Sequence, residues 1–418
     1  MKRFLFLMAA LSAAFIACSK DDSAEAGATY GLTQSRSAKR GVAFSFSQLP
    51  DQDVPLLGDA ISWSYNWSSN VPGAAVDAQF RAYGLDWCPM IWNGNYNPDN
   101  IRAYKKAHPE ARYILAFNEP NLMDQANMTP AQAAELWTPV VALAKELDMK
   151  LISPALNYGT LAGYNDPVVW MDEFLAQPGV SLDDIDGIAL HCYMPSAGSV
   201  KGFIDRFDKY RKPVWLTEFC NGNTSTIAEQ TQLNYMCETL NMLETDNRVF
   251  RYAWFIPRGS SFSGWHNALL STTTPVTLTT LGQVFVHFST FDPSVFYGVG
   301  DVVPAEQYVS ASGLVHLAPS TDGGILDISE LGMGGEVAYQ LDIAAAGTYT
   351  LEYRYQTYMD SSLTVQAGTA APVALSLPDT GKVWQTGAVG LSLPAGRSTL
   401  TLTGASGATV MLNWLRIK

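Results

Sequence analysis

Eight short apolar runs, at residues 41–46, 62–67, 86–92, 113–118, 150–156, 187–193, 213–219 and 250–256, constrain this chain most. Those at residues 113–118 and 213–219 are too hydrophobic for a strand with one wet face and suit strands buried on both sides, as in parallel sheets covered by helices. Helical patterns separate several of them, at residues 99–108, 129–147 and 226–245. Thr129-Pro130 reads as an N-cap followed by proline at the first helical position. A last helical segment, Thr280-Leu281-Gly282-Gln283-Val284-Phe285, closes the series near Thr290. Eight such alternations over about 250 residues predict an α/β fold, a (β/α)8 TIM barrel spanning residues 40–298.

The texture changes around residues 293–300. Helical periodicity then disappears, and short alternating runs such as Gly347-Thr348-Tyr349-Thr350-Leu351-Glu352-Tyr353-Arg354-Tyr355 take over between turn residues. This predicts an all-β, jelly-roll-like sandwich over residues 299–418.

The N-terminus reads as an address. Lys2-Arg3 precede an apolar segment, residues 4–17, too short for a spanning helix. Phe15-Ile16-Ala17-Cys18 resembles a bacterial lipobox, which implies a signal peptide over residues 1–18 and lipidation of Cys18. Ser19-Lys20-Asp21-Asp22 resembles the export tag of Bacteroidetes surface lipoproteins, and residues 19–39 read as a polar tether. An outer-membrane lipoprotein exposed at the cell surface is therefore expected. Of the remaining cysteines, Cys88, Cys192, Cys220 and Cys237, none has metal-ligand spacing. A Cys192–Cys220 bridge and buried free thiols both stay open.

The formal charge of −13 argues against nucleic acid, which needs a basic face, and is compatible with a neutral polysaccharide. Eleven Trp and 19 Tyr offer planes on which sugars stack, although core packing must account for most of them.

Two of the apolar runs end in glutamate: Tyr113-Ile114-Leu115-Ala116-Phe117-Asn118-Glu119-Pro120 and Pro213-Val214-Trp215-Leu216-Thr217-Glu218-Phe219. Carboxylates at the C-terminal ends of barrel strands sit where such folds build active sites. A single one commonly caps a helix or pairs with arginine. Two converging on one pocket are the minimum for cleaving a glycosidic bond. No Gly-x-Ser-x-Gly elbow or clustered histidines offer another chemistry.

Phe117-Asn118-Glu119-Pro120-Asn121, His191-Cys192-Tyr193, Trp215-Leu216-Thr217-Glu218-Phe219 and Tyr252-Ala253-Trp254-Phe255 together resemble glycoside hydrolase family 128, the small β-1,3-glucanases of the retaining (β/α)8 clan. The resemblance implies Glu119 as acid/base, Glu218 as nucleophile and Asn118 as a partner of the sugar 2-hydroxyl. Tyr193 would orient Glu218, and His191 would bind substrate or simply be a satisfied core histidine. Trp254 is expected as the floor under a glucose ring, with Trp67 and Trp92 extending the cleft or packing.

Over the sandwich, Pro304-Ala305-Glu306-Gln307-Tyr308, Trp384-Gln385-Thr386 and Leu412-Asn413-Trp414 resemble carbohydrate-binding module family 6. That implies a sugar cleft at Trp384 and Asn413, with Leu326 where a second aromatic is usual. It also implies a structural calcium at Glu306, with Pro304 in place of a first ligand. The expectation is a monomeric endo-acting β-1,3-glucanase of the laminarin-degrading type, needing no cofactor for catalysis. The alternatives are a non-catalytic surface glycan-binding lipoprotein and a retaining glycosidase of the same clan acting on another β-glycan.

Overall fold

The computed structural model describes residues 34–70, 72–259, 264–405 and 409–418. Cys18, the export tag and most of the tether lie outside the described residues. No helix among the described residues is long and apolar enough to cross a membrane.

Every expected apolar run forms a parallel strand: β1 (Arg40–Ala43), β2 (Trp63–Tyr65), β3 (Asp86–Trp87), β4 (Tyr113–Leu115), β5 (Lys150–Ile152), β6 (Ile188–Cys192), β7 (Val214–Phe219) and β8 (Val249–Trp254). Six of them pair in the order β3-β2-β1-β8-β7-β6, and β4 pairs with β5. Single parallel bridges, Met90 with Leu115 and Ile152 with Gly187, join the two sheets at both gaps. Hydrogen bonding therefore passes around the whole ring. Several strands are shorter than the apolar runs that encode them. The runs continue beyond the ladder as isolated bridges, Asn118 with Ala155 and Leu156 with Leu190, where the chain turns toward the ring's mouth.

Helices α1 (Pro50–Leu57), α2 (Ala74–Tyr83), α3 (Pro98–Ala107), α4 (Pro130–Glu146), α5 (Pro167–Leu175), α6 (Ala197–Asp205), α7 (Glu229–Thr245) and α8 (Thr280–His287) surround the strands. Helix α4 starts where the sequence places it. Thr129 accepts from the Gln132 amide, and Gln132 answers to the Thr129 backbone, a reciprocal cap that satisfies otherwise orphaned donors. At the N-terminal end of the ring, the Arg251 guanidinium lies over Trp63, Tyr113 and Trp215 at 5.0–5.4 Å and pairs with Asp86. A buried cation is tolerable there because aromatic faces and a carboxylate replace its water.

Residues 34–39 run along this same end. The Gln34 side chain bonds Ser289, Thr290 and Tyr308, and Arg36 donates to the carbonyls of Gly58 and Tyr83, where α1 and α2 finish. Arg40 is fully buried and spends all five N–H donors, on Tyr252, Glu244 and the carbonyls of Phe285, Phe288 and Ser289.

The C-terminal part is antiparallel. One sheet orders β10 (Ser310–Ser312), β13 (Glu336–Ile343), β18 (Gly396–Gly404), β15 (Ser361–Ala367) and β16 (Val373–Leu377). The other orders β11 (Val315–Pro319), β12 (Leu326–Leu331), β19 (Val410–Ile417), β14 (Gly347–Gln356) and β17 (Gln385–Leu393), with β9 (Val302–Pro304) on β19. Alternation fixes the faces: Leu351, Tyr353 and Tyr355 point inward from β14, as do Leu400 and Leu402 from β18.

This part docks on α7. The Leu317 amide donates to Cys237 Sγ at 3.3 Å, and the Tyr308 hydroxyl donates to Asn241 at 2.9 Å. His316 is buried between Glu238 of α7 (2.9 Å) and Glu330 of β12 (2.8 Å).

Candidate active site

Glu119 and Glu218 meet at the mouth of the ring. Glu119 follows β4 with a backbone φ of +43°, a left-handed conformation that costs a non-glycine residue about 1 kcal/mol or more. Its amide donates to Ala155 and its carbonyl accepts from Leu122, which hold the strained turn in place. Glu218 lies on β7, beside His191 in register on β6. His191 Nδ1 is 2.9 Å from Glu119 Oε1 and 3.5 Å from Glu218 Oε2. One ligand atom from each of the three side chains lies within 4.8 Å of the others, and all three residues are buried.

Three donors converge on Glu218. Tyr65 OH donates to Oε1 at 3.0 Å, Trp67 Nε1 to Oε1 at 2.6 Å, and Tyr193 OH to Oε2 in a very short contact. Glu119 accepts from Asn157 Nδ2 at 3.3 Å besides its contact with His191. The two carboxyls titrate together. Burial would raise Glu119, but the His191 and Asn157 hydrogen bonds outweigh it and hold the group below the usual carboxylate range. Burial pushes Glu218 up, helped by the Glu119 charge and opposed by His191, Tyr193 and Trp67. Burial disfavours the His191 imidazolium, yet the two carboxylates raise its pKa on balance.

The sequence-predicted residues divide sharply. Glu119, Glu218, His191 and Tyr193 come together. Trp67 joins them as a direct hydrogen-bond donor to Glu218, from a backbone with φ of +56°. Asn118 is buried beside them; its amide donates to Gln125 Oε1 at 3.1 Å, and its Oδ1 has no partner among the described residues. Trp92 is half-buried, and its carbonyl accepts the Asn118 amide.

Trp254 is not a floor for a sugar. It is fully buried on the outer side of β8, its Nε1 donates to the Asn267 carbonyl, and its ring meets Phe219 edge-on at 5.2 Å. Strand alternation sends the next residue inward instead. Phe255 packs against Tyr193 at 5.4 Å and Trp67 at 6.0 Å, while Trp265 lies 5.8 Å from Tyr193.

Sequence reasoning missed Tyr65 and Asn157. Tyr65 ends β2, two residues before Trp67, and Asn157 is the first polar residue after the run ending at Leu156. Asn157, a polar residue that ends an apolar run, left a signal of the same kind as the glutamates did, and Tyr65 left none. The four cysteines among the described residues are buried free thiols, with Cys88, Cys192 and Cys237 pushed up to about 12 by burial.

In the sandwich, Asn413 is turned inward. Its Nδ2 is spent on Asp327 (2.5 Å), Ser320 (2.9 Å) and the Gly323 carbonyl (2.8 Å), so it presents no donor to a cleft. Trp384 is partly exposed, with Nε1 bound to Thr321. Glu306 is buried, and its Oε2 has no hydrogen-bond partner among the described residues.

Residues 41–285 match the family model described as the glycosyl hydrolase catalytic core. The chain is similar to the solved family 128 (subgroup II) endo-β-1,3-glucanase of Pseudomonas viridiflava, with 38% identity, 60% of this chain and 98% of that one covered, and a TM-score of 0.54. It is also similar to the corresponding enzyme of Sorangium cellulosum, with 33% identity, 59% and 97% covered, and a TM-score of 0.51. Among curated proteins it is 24% identical over 265 residues, 60% of this chain, to alkali-sensitive linkage protein 1 of Schizosaccharomyces pombe (strain 972), of whose length the match spans only 44%.

Proposed function

Because the chain belongs to glycoside hydrolase family 128, we propose that it is a retaining, endo-acting hydrolase of β-1,3-glucan built on a (β/α)8 barrel. The observation that carries this reading is the Glu119–His191–Glu218 cluster at the strand ends, with its ligand atoms within 4.8 Å of one another. Retaining glycosidases hold their carboxyls about 5–5.5 Å apart, whereas inverting ones leave about 6.5–9.5 Å for a water. The spacing supports attack by a carboxylate rather than by water. The two bacterial relatives that are endo-β-1,3-glucanases support the linkage and the endo mode.

Glu218 attacks the anomeric carbon. Tyr65, Trp67 and Tyr193 hold its oxygens in place and favour the anion that the attack requires. Glu119 protonates the leaving oxygen and then draws a proton from the water that hydrolyses the glycosyl-enzyme. Hydrogen bonds from His191 and Asn157 hold the Glu119 pKa down, so substrate binding must bring a proton to it before it acts as the acid. His191 touches both carboxyls and gives that proton a path that does not cross solvent.

Glu119→Ala and Glu218→Ala are each expected to lower turnover on linear β-1,3-glucan by about 10³ or more. NMR of the first product is expected to show the β anomer. Turnover near wild type in either variant, or an initial α product, sinks the reading.

We further propose surface anchoring through Cys18. Cys18→Ala is expected to move the protein from the membrane pellet to the soluble fraction. The sandwich is proposed as a weak glycan-binding module centred on Trp384. A calcium ion would have Glu306 Oε2 as its one uncommitted side-chain oxygen, since Asp327 is occupied by Asn413, Ser320 and the Thr321 amide. That is a thin donor set for an ion that takes 6–8 oxygens. A rise in Tm on adding Ca²⁺ tests it.

A further inference from the structure

Glu119 is linked through one carboxamide to the backbone of Tyr158, a residue with an exposed aromatic ring. Asn157 donates through Nδ2 to Glu119 Oε1 and accepts the Tyr158 amide on Oδ1 at 2.8 Å. The Asn157 carbonyl is in turn held by Asn121 Nδ2 at 2.6 Å. Tyr158 therefore lies one residue from a direct partner of the acid, on the connection after β5. It is 47% exposed, yet it is fixed. Its hydroxyl accepts from Arg206 at 2.9 Å, the Arg206 guanidinium carbon lies 5.7 Å from the ring centre, and Phe203 packs at 5.4 Å. Arg206 itself is clamped by both oxygens of Asp166, the N-cap of α5.

An exposed tyrosine alone is unremarkable on a protein surface. Here its rotamer freedom has been removed before any ligand arrives, which lowers the cost of using the ring for binding. Its side of the cleft also carries information. The aromatic rings around Glu218, namely Tyr65, Trp67, Tyr193 and Phe255, come from β2, β6 and β8 or just beyond them. In the ring order β5 lies across from β1, away from β2 and β8. The residue whose carbon is attacked sits at Glu218, and the departing sugar sits beyond Glu119, which protonates the oxygen between them.

We propose that Tyr158 is a stacking platform for the departing part of the chain, binding the sugar ring just past the scissile bond. This rests on the glucanase reading. A platform there favours polymer over small glycosides, and it favours transfer of the glycosyl group to a second sugar over transfer to water.

The test compares Tyr158→Ala and Tyr158→Phe with wild type on a linear β-1,3-gluco-oligosaccharide and on a nitrophenyl glycoside with the same glycone. The nitrophenyl group leaves without needing a sugar platform. Tyr158→Ala is expected to lose about tenfold or more in kcat/KM on the oligosaccharide, chiefly through KM, and to keep its rate on the nitrophenyl glycoside. Tyr158→Phe keeps the ring and is expected to stay within about twofold on both. Equal losses on the two substrates would show a structural role and overturn the proposal, as would full oligosaccharide activity in Tyr158→Ala. A wild-type protein that cleaves neither substrate defeats the glucanase reading itself, and the platform falls with it.

Discussion

A buried carboxyl with no cation beside it holds its proton to higher pH than an exposed one, and Glu306 is such a group, although the Glu306 and Leu326 backbone amides oppose the effect. Burial pushes its pKa up to about 8, helped by the neighbouring Asp327 charge. In the unfolded chain the same group ionises near the ordinary value of 4.5. The folded state thus binds the proton more tightly, and the stability linked to it is fully present in acid and lost as pH rises through about 8. In buffer with chelator, Glu306→Gln is expected to flatten the fall in Tm between pH 5 and pH 9; an unchanged slope would mean that another group sets the fall. Glu119 and Glu218 were legible for the opposite reason. Each breaks an apolar run at its end, and no packing argument places a charge there. Trp254 was misread because strand phase decides which of two adjacent aromatics faces the mouth, and phase becomes visible only once register is set. Tyr65 reaches Glu218 from β2, across the ring, and no local pattern encodes such a pairing.

At the scale of elements, the apolar runs located all eight strands, because burial on both faces leaves a strong mark. Helices α1, α2, α5 and α6 were less distinct. Length alone does not explain this, since α3 and α8 are as short and were recognised. Helix α4 was plain from its first residue, and its cap can be tested. Thr129→Ala removes the oxygen that serves the Gln132 amide and is expected to cost about 1 kcal/mol in urea unfolding, with activity unchanged. Arg40 tests the ring against its helices. Lysine has three donors where five are needed, so Arg40→Lys strands buried carbonyls and leaves Glu244 poorly matched. A loss of about 3 kcal/mol or more is expected, measured by the same unfolding experiment.

For the whole molecule the decisive contact is His316. Both ring nitrogens face carboxylates, one from each domain, so the imidazolium is favoured; burial opposes it, and Glu238 and Glu330 win. The group has a raised folded pKa, so its contribution is complete below the unfolded value near 6.5 and fades as pH rises through the folded one. Calorimetry is expected to show one cooperative transition at pH 6 and a weaker coupling of the two domains at pH 9. His316→Gln is expected to remove that pH dependence, and a variant that keeps it would assign the effect elsewhere. The domain pair was legible in the change of texture near residue 300, but its docking was not, since interfaces draw on residues scattered along the chain.

The segment at residues 34–39 has a geometric consequence. It lies across the N-terminal ends of the strands, pinned by Gln34 and Arg36, while Glu119 and Glu218 open at the other end. Whatever precedes Gln34 leaves the molecule from the pole opposite the cleft. With the anchor proposed at Cys18, the tether would join the closed pole, and the cleft opens at the end of the ring away from that attachment.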